Sequence, residues 1–213
     1  VTWNVNSLKV RLLHLESLLK EHTPDFICLQ ETKTEDQNFL REEIEELGYS
    51  VVYHGQKTYN GVAILSREKM HDVQVGIPGL QDEQARVIAA TSADGLRLIN
   101  AYVPNGESTD SQKYQYKLKW LRAFVDFVLA EAAQCSELVV LGDFNIAPKD
   151  QDVYDAEAFR GKVLCSKQER DLYQELLNSG LCDSLDEFLD GSERFTWWDY
   201  RMNAFRRKLG LRI

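Results

Sequence analysis

No apolar run in the chain approaches the roughly 20 residues of a membrane span, and no basic segment followed by a long apolar centre opens it, as a signal peptide would. Both absences lead us to expect a cytoplasmic protein with no membrane partner. Cysteine is scarce. Cys28, Cys135, Cys165 and Cys182 form no C-x-x-C pair, and the four histidines show none of the paired spacings of zinc sites. This argues against a zinc centre and leaves free, partly buried thiols. Repeats and low-complexity linkers are missing too, so 213 residues with 44% apolar content read as one domain with one sizeable core.

Net positive charge is also lacking. A formal charge of −9 speaks against a passive nucleic-acid coat, because sequence-independent DNA binding comes mostly from neutralised phosphates. Distribution matters more than the total. Much of the acid lies between Glu31 and Glu46, where Glu42, Glu43, Glu45 and Glu46 form the solvated side of a helix anchored by Leu40, Ile44 and Leu47. After Asp199 the balance reverses. Arg201, Arg206, Arg207, Lys208 and Arg212 follow with no acid among them, which is either a local basic surface or an ordinary solvated edge.

Strand-like runs cover Asp25–Gln30, Ser50–Tyr53, Gly61–Leu65, Ala85–Thr91, Leu96–Tyr102 and Leu138–Leu141. Helices fill several gaps. Ser7 can cap one carrying Leu8, Leu12, Leu15 and Leu19. A long helix follows Ser111 through Leu118, Leu121, Val125 and Leu129, and Ser166 with Glu169 forms a capping box before Leu172, Leu176 and Leu177. Between Tyr49 and Thr91 there is little room for crossover helices. Hairpins and mixed sheets are therefore expected, with helices outside them.

The strand ends carry the chemistry. In "LVVLGDFNI", Leu138–Ile146, an apolar run closes on Asp143 and Asn145, two positions apart and so on one strand face. Alone, that pair suits a turn as well as a site. It has company: "TWNVN" places Asn4 and Asn6 on one face, "FICLQETK" ends in Glu31, and "LRLINAYVPNG" ends in Tyr102, Pro104 and Asn105. Carboxylate, amide and phenol from separate strands are the ingredients of an oxygen-ligand metal site with a phosphate clamp. Glu31 alone can hold Mg²⁺, a hard ion that takes few protein oxygens.

The segments "TWNVNSL", "LQETK", "GQKTYNGVAILS", "QARVI", "INAYVPNGE", "LGDFNIAP", "FTWWDYR" and "GLRI" resemble, in order and over nearly the whole chain, the exonuclease III family of DNA-repair nucleases. The resemblance implies an α/β fold, a four-layer sandwich of two mixed β-sheets flanked by helices. It also implies Mg²⁺-dependent hydrolysis of DNA phosphodiesters, with Mn²⁺ as the alternative ion: incision at abasic sites, 3′-to-5′ exonuclease action on double-stranded DNA, and removal of 3′ blocking groups. In that pattern Asp143 orients or deprotonates the attacking water, Asn145 holds and polarises the phosphate, and Tyr102 sits close to it. Glu31 binds the metal and Asn4 helps to place it, with Asp143 and Asn145 as further candidates for the metal shell. Lys57, Tyr59, Asn60, Arg86 and Asn105 match segments that approach DNA, and Trp197 matches a wall of the pocket for an abasic sugar.

Each assignment has a plainer counterpart. Glu31 could serve only as partner to Lys33 or an arginine, Tyr102 as a strand aromatic, one tryptophan as core, and the loop residues as surface. The run Asp150, Asp152, Asp155 lacks the glycine and closing glutamate of a calcium loop and reads as a polar loop. Rival functions are a phosphodiesterase of the wider superfamily acting on another phosphate, and an inactive DNA-binding module. A monomer is the default expectation. The resemblance further implies residues before Val1, and roughly 40 beyond Ile213 that include another catalytic Asp and an Asp-His pair.

Overall fold

The computed structural model describes residues 1–188, 194–201 and 203–213. These form two compact units: residues 1–103 with 130–144, and residues 104–129 with 145–213.

The first unit holds two four-stranded mixed sheets. One runs in the order β1 (Thr2–Asn4), β2 (Phe26–Gln30), β4 (Val62–Ser66), β3 (Ser50–His54); the other runs β5 (His71–Val75), β6 (Val87–Thr91), β7 (Arg97–Tyr102), β8 (Leu138–Asp143). Only β1–β2 and β7–β8 are parallel pairs. Between β3 and β7 the short links make the antiparallel pairs β3–β4, β5–β6 and β6–β7, as the spacing predicts, while the β4–β5 link passes from one sheet to the other. Alternation along β2 and β4 does the packing. Ile27, Leu29, Ala63 and Leu65 face outward onto Leu8, Leu15 and Leu19 of α1 (Leu8–His22) and Ile44 of α2 (Arg41–Glu46). Cys28, Val62 and Ile64 face inward onto Ile88, Ala90 and Leu98 of the second sheet. Each fully buried large aliphatic side chain contributes about 1.5–3 kcal/mol. One buried polar group crosses this apolar layer. Asn100 donates to the carbonyls of Leu29 and Ala63, both at 2.9 Å, and accepts from Gln30 at 2.7 Å.

The second unit holds most of α3 (Gln112–Ala132), then α4 (Ala156–Phe159), α5 (Lys167–Asn178), α6 (Ser184–Phe188) and the two-stranded pair β9 (Trp197–Trp198) and β10 (Gly210–Leu211). Its apolar cluster joins Ala147, Val153, Leu164, Cys165 and Leu211. The expected fold class is the observed one: mixed α/β, with two mixed four-stranded sheets flanked by helices.

Three local expectations need correction, and one strand was not anticipated. Ser7 stands at the N-cap of α1, but its φ of 105° turns the side chain away from any capping bond. Asn6 does not share a strand face with Asn4, because β1 ends at Asn4 and Asn6 is left-handed, φ 46°. Strand β5 escaped the alternation test because it is an irregular, exposed sheet edge, with Val73 and Val75 open to solvent. In α3 the fully buried stripe includes Tyr114, Lys117, Leu121, Phe124 and Val128, so Leu118 is only half-buried and a lysine takes its place. The expected capping box formed, and Ser111 adds a cap that the sequence reading does not assign. Ser111 accepts from Tyr114 N at 3.0 Å, and the Ser166–Glu169 capping box opens α5.

Candidate active site

The sheet ends of the first unit bring four predicted residues together. Parallel pairing sets Tyr102 beside Asp143 at the end of the second sheet, and sets Asn4 beside Gln30, one residue before Glu31, at the end of the first. Asn4 joins the two sheets. Its amide nitrogen donates to Glu31 Oε1 at 2.7 Å and to Asp143 Oδ2 at 2.8 Å, while its oxygen accepts from Asn6 N at 3.1 Å. One NH₂ group therefore uses both protons to hold two carboxylates that would otherwise repel.

Backbone strain supports this arrangement. Glu31 sits in the left-handed region at φ 53°, as does Lys33 two residues on, a conformation that costs a non-glycine residue of order 1–3 kcal/mol and collects at functional sites. Gly142, just before Asp143, has φ +146°, and a Cβ there would lie 1.9 Å from the Ala101 carbonyl oxygen. Only glycine lets β8 approach β7 closely enough to aim the carboxylate.

Charge balance follows from the same contacts. Burial pushes the Glu31 carboxyl up, but hydrogen bonds from Asn4, Lys33 and Tyr102 and the Lys33 charge outweigh it, so the pKa ends below its ordinary value. Lys33 Nζ lies 2.9 Å from Glu31 Oε2; the plainer role considered for Glu31, an ion pair, is thus real and coexists with the convergence on Asn4. Tyr102 moves the other way. Burial first, then the charges of Glu31 and Asp143, hold its hydroxyl well above the usual phenol range. It stays protonated at neutral pH and is available as a donor.

Beside Tyr102, the guanidinium of Arg86 lies 4.7 Å over the ring, donates to the Tyr102 carbonyl at 3.1 Å and to Gln84 Oε1 at 2.9 Å. Gln84 also accepts from Asn60, whose amide donates to Gln56 as well. Asn60 was read as a loop residue open to DNA; it is buried, with its NH₂ turned onto two glutamines. Lys57 and Tyr59 are exposed. Sequence reasoning overlooked Gln56 and Gln84, and glutamine in a loop carries no signal of its own.

In the second unit, Asn145 is buried and left-handed, φ 49°, and its Oδ1 accepts from Asn105 Nδ2 at 3.1 Å. Trp197 is 39% exposed, while Trp198 is half-buried with its ring edge-on to Phe205 at 5.1 Å. Phe205 is itself exposed, so neither tryptophan belongs to the core cluster. Arg212 leaves the expected basic surface because Asp183 holds it at 2.6 and 2.7 Å; Arg201, Arg206, Arg207 and Lys208 are exposed. The three loop aspartates are spoken for: Asp150 pairs with Arg170, Asp152 with Arg194, and Asp155 caps α4.

Residues 1–213 match the Endonuclease/Exonuclease/phosphatase family throughout. The chain belongs to that family. It is 35% identical to exodeoxyribonuclease III of Haemophilus influenzae, over all of this chain and 84% of that protein. Among solved structures, the 3′ phosphatase NExo from Neisseria, bound to a product DNA hairpin, superposes with a TM-score of 0.97 at 49% identity, covering all of this chain and 82% of that one. An AP endonuclease from Archaeoglobus fulgidus superposes at 0.91 with 37% identity, covering 99% and 82%.

A divalent cation, implied by the resemblance to exonuclease III, fits this family member's donor set. Among the described residues no three His, Cys, Asp or Glu side chains converge. Two carboxylates meeting at one amide do suit a hard ion that binds through one or two carboxylates and keeps its remaining positions for water and phosphate. Asn4 could join through the second lone pair of its oxygen, the first being taken by Asn6 N.

Proposed function

We propose that this protein is a divalent-metal-dependent DNA hydrolase of the exodeoxyribonuclease III type, removing nucleotides and blocking groups from 3′ ends and incising double-stranded DNA at abasic sites. The observation that carries the reading is the Asn4 amide shared between Glu31 and Asp143, with the protonated Tyr102 against both carboxylates. The activities of the relatives, 3′ phosphatase, exodeoxyribonuclease and AP endonuclease, supply the substrate class.

In this reading Glu31 and Asp143 are the oxygen donors for the metal, with Mg²⁺ the proposed ion; when bound, it offsets the charge that grows on the phosphate. Asp143 orients the attacking water and accepts its proton as the new P–O bond forms and the P–O bond to the leaving sugar oxygen breaks, that oxygen taking a proton from solvent to become a hydroxyl. Asn4 fixes the direction of the Asp143 carboxylate with a hydrogen bond to Oδ2. Tyr102, whose neutral O–H donates to Glu31, would turn that donor to the phosphate when substrate is bound. A positioned base of this kind is worth roughly 10²- to 10⁴-fold. Asn145 and Asn105 carry amide donors proposed for the phosphate and DNA backbone, and Lys57, Tyr59, Asn60, Arg86 and Trp197 remain DNA-facing proposals, Asn60 and Arg86 through the groups around them.

The deciding experiment incubates the protein with duplex DNA carrying one abasic site, and with duplex carrying a 3′ phosphate, in Mg²⁺ or in chelator. Metal-dependent incision and 3′ processing are expected. Binding without turnover would replace the enzyme with a DNA-binding module, and hydrolysis only of a non-nucleic phosphodiester would move the substrate class. A monomeric, cytoplasmic enzyme completes the proposal; solution mass and cell fractionation test those two points.

A further inference from the structure

Lys117 is fully buried in the second unit, on the stripe of α3 where an apolar residue belongs. Its three ammonium protons have three acceptors: the carbonyl of Asn145 at 2.6 Å, the carbonyl of Asn105 at 3.1 Å, and Glu169 Oε1 at 2.5 Å. Glu169 is equally buried. Its carboxylate also accepts from Leu164 N at 3.0 Å, Ser166 N at 3.1 Å and Ser166 Oγ at 2.5 Å; the Ser166 N bond, with Glu169 N donating to Ser166 Oγ at 3.2 Å, is the capping box of α5. Tyr114, one turn before Lys117, closes the set with its hydroxyl 2.5 Å from Ser166 Oγ.

A buried ion pair is a poor way to gain stability, since well-packed neutral groups of similar volume often do as well or better. This pair does something a leucine could not. It grips two separate loops by their carbonyls, and those loops carry the two asparagines that bond each other. The Asn145 backbone is left-handed and strained, so its carbonyl needs an outside partner to keep its direction. The loop after Asn105 is shaped to match: Gly106, φ +96°, passes so close that a Cβ would sit 3.0 Å from Lys117 Cδ. With no exposed surface, the ammonium is out of reach of DNA.

We infer that Lys117 is a positioning residue: its ammonium, through its bonds to two carbonyls, fixes the backbones of Asn105 and Asn145 and so the direction of their amide donors. The inference rests on the reading of those amides as phosphate-binding groups. It predicts that turnover follows the grip on the carbonyls and not the charge pair.

The test compares the wild type with Lys117→Met/Glu169→Gln, which removes the grip without leaving a buried charge unpaired, and with Glu169→Gln, which keeps the ammonium on both carbonyls. In the double variant kcat on abasic duplex should fall at least about 10-fold, within the roughly 10²-fold that a misplacement of about 1 Å costs, with KM changed by less than about 3-fold. The Asn105 and Asn145 side-chain amides should move in ¹⁵N spectra. Glu169→Gln should keep kcat within about 3-fold, with those signals in place. A folded double variant with wild-type kcat and unmoved amides would overturn the inference. So would a Glu169→Gln protein that is folded yet loses turnover about 10-fold with displaced amides, and that single variant decides the matter if the double variant does not fold. A wild type inactive on every DNA tested would instead sink the nuclease reading, and the amide signals would still report on the grip.

Discussion

Asp143 and Glu31 share one amide, yet their substitutions should fail in different ways. Asp143→Asn keeps the shape and one acceptor for Asn4 but removes the base, so turnover should fall at least roughly 10²-fold while DNA affinity survives. Single-turnover rates alongside binding isotherms would separate the two quantities; weakened binding at normal turnover contradicts the role. Glu31→Gln should act through the metal. Losing one anionic oxygen raises the Mg²⁺ concentration needed for half-maximal rate, and an unchanged metal titration would remove Glu31 from the ion. Both residues were legible in the sequence because polar groups at the ends of apolar strands break the pattern around them. Lys117 was not. A lysine in a long amphipathic helix reads as solvated, and only its spacing to Tyr114, Leu121 and Phe124 places it on the buried side.

Elements decide whether those residues meet. Strand β8 delivers Asp143 only because Gly142 lets it lie against β7, so Gly142→Ala must either push β8 away or twist the Asp143 backbone. A loss of about 2–4 kcal/mol in urea unfolding is expected, with activity falling further than stability alone explains; an alanine variant of native stability would mean that β8 has room to spare. The sheets themselves could be read from runs of alternating residues, and the short β3–β7 links ruled out a purely parallel sheet. What could not be read was β5, whose exposed edge has no apolar face, and the turn conformations at Asn6 and Ser7, which are imposed by backbone bonds from Ser7 N to the Glu31 carbonyl and Leu8 N to the Thr32 carbonyl. Those are long-range bonds, invisible to local spacing. In the second unit, Arg212 holds Asp183 by two bonds and Tyr173 adds a third at 2.9 Å. Burial raises the Asp183 pKa, but these bonds outweigh it and the value ends below 3.8. A depressed carboxylate stabilises the fold above its unfolded value and loses that contribution as pH falls through the folded one. Asp183→Asn should therefore cost about 1.5–3 kcal/mol near neutral pH, with the gap from wild type closing below pH 3.8. A gap independent of pH would show that the Arg212 bonds do not depend on the charge.

At the scale of the whole molecule, a net charge of −9 has to be reconciled with a polyanionic substrate. The acid is spread over faces such as the exposed side of α2, where Glu42, Glu43, Glu45 and Glu46 all meet solvent. Many of the basic groups are neutralised locally: Arg97 by Glu131, Arg122 by Glu175 and Asp126, Arg170 by Asp150, Arg194 by Asp152 and Asp186. The run with Arg201, Arg206, Arg207 and Lys208 is exposed and lies next to the exposed aromatics Tyr200 and Phe205. If this local patch supplies the phosphate contacts, each contact releases a counterion and adds about 0.9 to the slope of log affinity against log salt. Affinity for duplex DNA should then drop at least about 10-fold between roughly 50 and 200 mM salt, despite the acidic whole. Replacing Arg206 or Arg207 with Gln should lower affinity about equally for all sequences and reduce the slope by about one unit each, while Arg212→Gln should leave the slope alone, because that guanidinium already belongs to Asp183. Salt titrations of binding to one duplex by these three variants distinguish the two classes of arginine. A flat profile in the wild type would count against duplex DNA as the substrate, and a steep one unaffected by Arg206 or Arg207 would move the phosphate contacts to another face.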